Sequence, residues 1–187
     1  MTKRAFDLVV AVLGGIILLI PLIAVGVVVR LTSRGPAIYW SDRIGRGNTP
    51  FRMPKFRTMR LDTPALATHL LPDPKAFLTP VGGLLRRTSV DELPQLWSIL
   101  VGDMSLVGPR PALYNQDDLI ALRTATGVHA LAPGLTGWAQ VNGRDDLSVS
   151  EKVRLDSEYL ERRSFGFDLA IIGLTLRRAF AGAGVAH

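Results

Sequence analysis

At 187 residues the chain is long enough to bury one hydrophobic core and short for two. Its formal net charge of +6 and isoelectric point near 10.3 point to an anionic partner, with nucleic acid, anionic lipid headgroups and a diphosphate as candidates. The absence of cysteine excludes disulfides and thiolate metal centres, and His69, His129 and His187 have no metal-binding spacing.

Lys3 and Arg4 precede an uncharged run from Leu8 to Val29, closed by Arg30 and Arg34. About 22 apolar residues make a helix roughly 33 Å long, enough to cross a bilayer. The run is apolar on every side and lacks a small-residue cleavage site, so it reads as a lipid segment rather than a core helix or a signal peptide. Pro21 interrupts it and removes the hydrogen bond to the Ile17 carbonyl. A kink there can turn the helix back into a re-entrant hook, which basic residues at both ends favour; a kinked span is the alternative.

From Thr32 to Arg60 the pattern changes. Ile38-Tyr39-Trp40 and Phe51-Arg52-Met53 read as strands either side of Gly45-Arg46-Gly47-Asn48, predicting a hairpin. The glycines there lack the context of a nucleotide fingerprint and are assigned to the turn. Lys55 and Arg57 fall on alternate positions of the next extended piece and share a face. Leu61 to Pro80, with four prolines, predicts a surface loop with one short helix, and Leu84-Leu85 then faces either membrane or core.

Ser89 followed by Glu92 fits a capping box ahead of a helix whose apolar positions are Leu93, Leu96, Trp97, Leu100 and Val101, stopped by Gly102. Because Pro94 requires the helix to start near it, Asp91 is the other candidate cap. Either start puts Asp91 and Glu92 at a positive helix end, where the dipole and Arg86 and Arg87 favour an ionised Asp91 while the paired carboxylates push their titrations apart. Arg110 lies between Pro109 and Pro111, which hold it extended and lower the freedom it loses on gripping an anion.

Asp117 to Thr126 reads as an amphipathic helix ending at Gly127, resting on core or interface. Pro133 to Arg144 is rich in glycine, with Gln140, Asn142 and Arg144 as candidate donors; it is either a close approach to a ligand or an ordinary turn. Ser148 and Glu151 form a second capping box opening a charged helix to Arg163. Phe165 to Phe180 is an apolar helix for core or membrane surface, with Asp168 at its start and Arg177 and Arg178 near its end, and Gly182 to His187 reads as a mobile end.

Four blocks, in order, carry a resemblance: Lys55-Phe56-Arg57-Thr58-Met59; Ser89-Val90-Asp91-Glu92-Leu93-Pro94-Gln95-Leu96; Gly102-Asp103-Met104-Ser105-Leu106-Val107-Gly108-Pro109-Arg110-Pro111; and Pro133 through Arg144. Together they resemble the bacterial sugar transferases, the monotopic polyprenyl-phosphate phosphoglycosyl transferases, over nearly the whole chain. The resemblance implies an α-rich α+β fold. In it, an N-terminal re-entrant membrane helix (residues 1–34) precedes one cytosolic catalytic domain (35–187) with a small β-hairpin and several amphipathic helices. The family commonly has a polar residue just before the helix-breaking proline, where this chain has Ile20.

The implied reaction moves a sugar 1-phosphate from a UDP-sugar to polyprenyl (undecaprenyl) phosphate, releasing UMP, as the initiating step of glycoconjugate or exopolysaccharide synthesis. The implied placement is monotopic, on the cytoplasmic face of the bacterial inner membrane, among membrane lipids and without nucleic acid. The resemblance also implies Mg²⁺ at Asp91, with Asp91 as nucleophile forming a covalent phosphosugar intermediate and Glu92 as its helper. Lys55, Arg86, Arg110, Asn142 and Arg144 would be phosphate contacts, Asp156 matches a further acidic position, and Pro21 is the helix break. The competing reading is a membrane-anchored basic protein that binds nucleic acid or anionic lipid without catalysis; a purely structural membrane-surface protein is a third.

Overall fold

The N-terminal run folds as two helices, α1 (Thr2–Ile17) and α2 (Leu19–Thr32), bent by 63° at Leu18. The computed structural model describes residues 2–64, 73–143 and 146–180. Pro21 falls in the first turn of α2, where an amide has no helical partner to lose, and the Ile17 carbonyl it would have faced closes α1. Leu18 donates to Gly14 and Leu22 to Leu18, so the backbone stays bonded around the corner. Ile17 and Ile20, at the corner, are 74% and 79% exposed. Among the described residues no single helix is long and apolar enough to cross a membrane, although the bent pair together passes that test by length and composition.

The start of α1 is tied to the rest of the fold. Lys3 pairs with Asp168 at 2.6 Å, Arg4 donates to the Ile99 and Leu100 carbonyls, and Asp7 accepts from the Ser105 hydroxyl and the Leu106 amide. Lys3 and Arg4 thus do more than flank an apolar run: Arg4 satisfies carbonyls near the end of α4 (Leu96–Val101). Ala11 enters the main core with Met53, Ile99, Met104, Val141 and Ile171, while Val29 of α2 packs with Phe56 and Leu85.

The expected hairpin forms from β1 (Ile38–Ile44) and β2 (Pro50–Phe56), antiparallel, with Tyr39 opposite Lys55. Pro54 is tolerated because β2 is the edge of a sheet ordered β2-β1-β4, where β4 is Ala112–Leu113. Lys55 and Arg57 do not end up sharing a surface. The strand ends at Phe56, and Arg57 is buried, donating to the Pro36 and Ser33 carbonyls and the Ser33 hydroxyl. The short helix expected after Leu61 is a 3₁₀ turn, Pro74–Phe77, capped by Asp73. In the following α3 (Gly82–Arg87), Leu85 is buried and Leu84 exposed.

The helix expected from Ser89 onward divides. Val90–Gln95 winds as a 3₁₀ turn with Pro94 inside, and only then does α4 begin, ending as expected at Gly102 with φ 103°. Proline supplies no amide and excludes the α-helical carbonyl four residues back, so this stretch takes the tighter winding.

Beyond Gly102, β3 (Ser105–Val107) pairs parallel with β5 (Gly134–Thr136). Helix α5 (Asp117–Ala125) ends before Gly127 as expected and buries Leu119 against Val153 of α7 (Val149–Arg162), so it rests on the core. The Ser148–Glu151 capping box of α7 is fully formed. Helix α8 (Phe165–Phe180) buries Ile171 in the core and leaves Leu169 and Leu176 exposed. The chain end expected to be mobile lies outside the described residues.

Candidate active site

Asp91 and Glu92 are adjacent, nearly buried and differently employed. Glu92 accepts from Arg110 through two nitrogens, at 2.7 and 3.4 Å, and from Lys55 at 3.2 Å. That engagement explains why the capping box at Ser89 does not form: the Glu92 carboxylate is committed to long-range cations. Ser89 itself is left-handed, at φ 55°, and its hydroxyl makes no capping bond.

Asp91 makes no side-chain hydrogen bond among the described residues and is 7% exposed. Its surroundings overturn the expectation that cations and a helix end favour its charge. Burial, reinforced by Glu92, pushes the carboxyl above the usual range, and Lys55, Arg86 and Arg110 oppose this only in part. Burial also draws Lys55 down to about 8, with Arg110 and Arg43 adding to the fall and Glu92 and Asp91 resisting it.

Arg86 reaches this place through a close backbone contact. The Gly82 α-carbon sits against the Thr58 carbonyl so tightly that a Cβ there would lie 2.1 Å from the oxygen. Helix α3 is thereby pressed onto the chain after β2, and the Arg86 Nε donates to the Thr58 hydroxyl at 2.9 Å. Arg87 is exposed.

Two expected contacts resolve differently, and a third is not described. Asn142 is exposed and donates to the Trp138 carbonyl, closing the short α6 (Trp138–Val141), so it does not join the acid pair. Asp156 does not enter the site either: it is 1% exposed and is held by Arg123 at 2.6 and 3.0 Å. Arg144 lies outside the described residues. Gly134 and Gly137 of this segment approach backbone at Gly108. A Cβ at Gly134 would lie 2.1 Å from the Gly108 nitrogen, and one at Gly137 would lie 2.0 Å from the Gly108 carbonyl oxygen.

Arg43 and Arg123 are functional candidates that the sequence reading passed over. Each is remote in sequence from the residues it supports, donating to the Pro111 and Arg110 carbonyls respectively. A period-2 reading of β1 could have put Arg43 on the face of Lys55; nothing local marked Arg123.

The residues fit a hard divalent cation in one respect. Asp91 offers carboxylate oxygens with no hydrogen bond to displace among the described residues. No group of three or more metal-ligating side chains occurs among the described residues, so substrate phosphate and water would supply most of the shell, as Mg²⁺ commonly accepts.

With this geometry in view, the comparisons with known proteins identify the family. The model for "Bacterial sugar transferase" matches residues 1–182, and the chain belongs to that family. Uncharacterized sugar transferase EpsL of Bacillus subtilis (strain 168) is 41% identical over 98% of this chain and 89% of its own length. The UDP-glucose:undecaprenyl-phosphate glucose-1-phosphate transferase of Escherichia coli (strain K12) is 40% identical over 95% of this chain and 40% of its own. The UDP-N-acetylgalactosamine-undecaprenyl-phosphate N-acetylgalactosaminephosphotransferase of Aeromonas hydrophila is 35% identical over 97% and 44%. The chain therefore spans most of the first relative and less than half of the other two.

Proposed function

We propose that this chain transfers a sugar 1-phosphate from a UDP-sugar to a polyprenyl phosphate, releasing UMP. A carboxylate oxygen of Asp91 attacks the sugar-bearing phosphorus, and the bond from that phosphorus to the bridging oxygen breaks, so UMP departs with the electron pair. A phosphate oxygen of the lipid then attacks the same phosphorus and expels Asp91. The products are the polyprenyl diphosphate sugar, UMP and the original carboxylate. A carboxylate nucleophile divides the transfer between two bulky anions into separate displacements.

The observation that carries this reading is the asymmetry of the acid pair. Glu92 is gripped by Lys55 and Arg110, while Asp91 beside it has no hydrogen bond among the described residues. Glu92 thus acts as the fixture that holds two cations where phosphoryl oxygens would gain charge, and Arg86 adds a third positive charge acting on Asp91. Mg²⁺, when bound, would add positive charge at those oxygens. Incomplete solvation leaves the Asp91 carboxylate reactive once ionised, and Lys55, Arg86 and Arg110 oppose the burial that disfavours its charge.

The bent α1–α2 pair supports placing the enzyme on one face of a bilayer, its apolar corner inserted and both ends on the cytoplasmic side of the bacterial inner membrane. Family membership favours this reading over a basic binding protein for nucleic acid or anionic lipid, and the engagement of Lys55 and Arg110 by Glu92 agrees.

Donor supplied without lipid acceptor is expected to release UMP, in an amount limited by the enzyme, and to leave a phosphosugar mass on Asp91. Asp91→Asn should abolish both signals. Release of UDP, or mass gain on another residue, would refute the scheme.

A further inference from the structure

The loop that carries Arg110 is fastened at three successive carbonyls by three separate parts of the fold. The Pro109 carbonyl accepts from the Gly134 amide at 2.9 Å, the Arg110 carbonyl from Arg123 at 2.8 Å, and the Pro111 carbonyl from Arg43 at 3.1 Å. One of these donors, Arg123, has its own buried counter-charge. It is 8% exposed, and two of its nitrogens are bound to Asp156, which is 1% exposed.

A buried arginine–carboxylate pair rarely adds stability over well-packed apolar side chains, because both ions must leave water. What this pair supplies that an apolar pair would not is a fixed, charged donor aimed at the main chain of Arg110. The opposite end of the same residue grips Glu92. We infer that Arg123 and Asp156 are positioning residues for the reaction: they set the guanidinium of Arg110 against the acid pair without touching substrate. The relay runs from α7 through α5 to the Pro–Arg–Pro loop. Its role in catalysis rests on the proposed function, in which Arg110 faces phosphoryl oxygens.

The test compares the full-length chain with Arg123→Met/Asp156→Leu, Arg123→Lys and Asp156→Asn, each alone and combined with Arg110→Ala. The apolar pair should keep the melting temperature near or above that of the parent. Its kcat for UMP release should nevertheless fall on the order of ten- to a hundredfold, the scale of a small misplacement of a catalytic group. In the Arg110→Ala background the same substitutions should cost less than about twofold, because the group they position is gone. Equal losses in both backgrounds, or full activity in the apolar variant, would overturn the inference. Should the apolar variant lose its fold, Arg123→Lys and Asp156→Asn read the same cycle.

Amide hydrogen exchange at Arg110 and Ala112 separates this inference from the proposed function. It should quicken in every relay variant, and unchanged exchange would refute the relay. If the parent releases no UMP from any UDP-sugar, the functional reading fails while exchange still decides whether Arg123 and Asp156 hold the loop.

Discussion

Glu92 lies 37 positions from Lys55 and 18 from Arg110, yet all three meet at one carboxylate. The sequence marked each of these residues, and Asp91, as chemically interesting; it could not show how the two acids divide their partners. Local rules favoured a capping role for Glu92, and long-range cations won. The consequence for catalysis can be read from pH. Lys55, drawn down to about 8, carries its proton below that pH and loses it above, so the phosphate contact proposed for it should vanish as pH rises through that range. UMP release should therefore decline on an alkaline limb near pH 8. Lys55→Arg should move that limb upward by at least about one unit, since guanidinium stays protonated. An unmoved limb would assign it to another group.

Helix α7, with its capping box and amphipathic pattern, was legible because those signals are local, and Gly127 marked where α5 ends. The small strands β3 and β5, three residues each, were not: their pairing depends on backbone meeting backbone at Gly108, Gly134 and Gly137. Glycine-rich sequence suggested close approach without saying to what. At Gly137 the backbone is extended, φ −175°, so the residue is required for space and not for conformational freedom. Gly137→Ala should destabilise the fold by about 3 kcal/mol or more, because the atom it meets is a backbone carbonyl that cannot swing aside. Gly173→Ala, with nothing within 4 Å of its Cβ, should change stability by less than about 1 kcal/mol. Thermal or denaturant unfolding of both in one detergent checks the contrast.

At the scale of the molecule, Pro21 foretold the bend in the apolar N-terminal run. Less visible was how firmly that segment is built into the body, because Arg4, Asp7, Ala11 and Val29 find partners far along the chain. The chain has no cysteine, so single introduced cysteines report topology cleanly. Thr2→Cys and Ser33→Cys should both react with an impermeant maleimide in inverted membrane vesicles and neither in right-side-out ones. Labelling from opposite sides would make the pair a span.

Since Ala11 and Val29 are each 0% exposed, the apolar hook is also structural lumber of the body that holds Asp91. If the hook inserts in a bilayer as proposed, the height of Asp91 above the lipid becomes a built-in dimension, like the throat of a sewing machine, rather than something a tether leaves adjustable. A water-soluble form would call for repainting the outer face of the hook, not cutting it off.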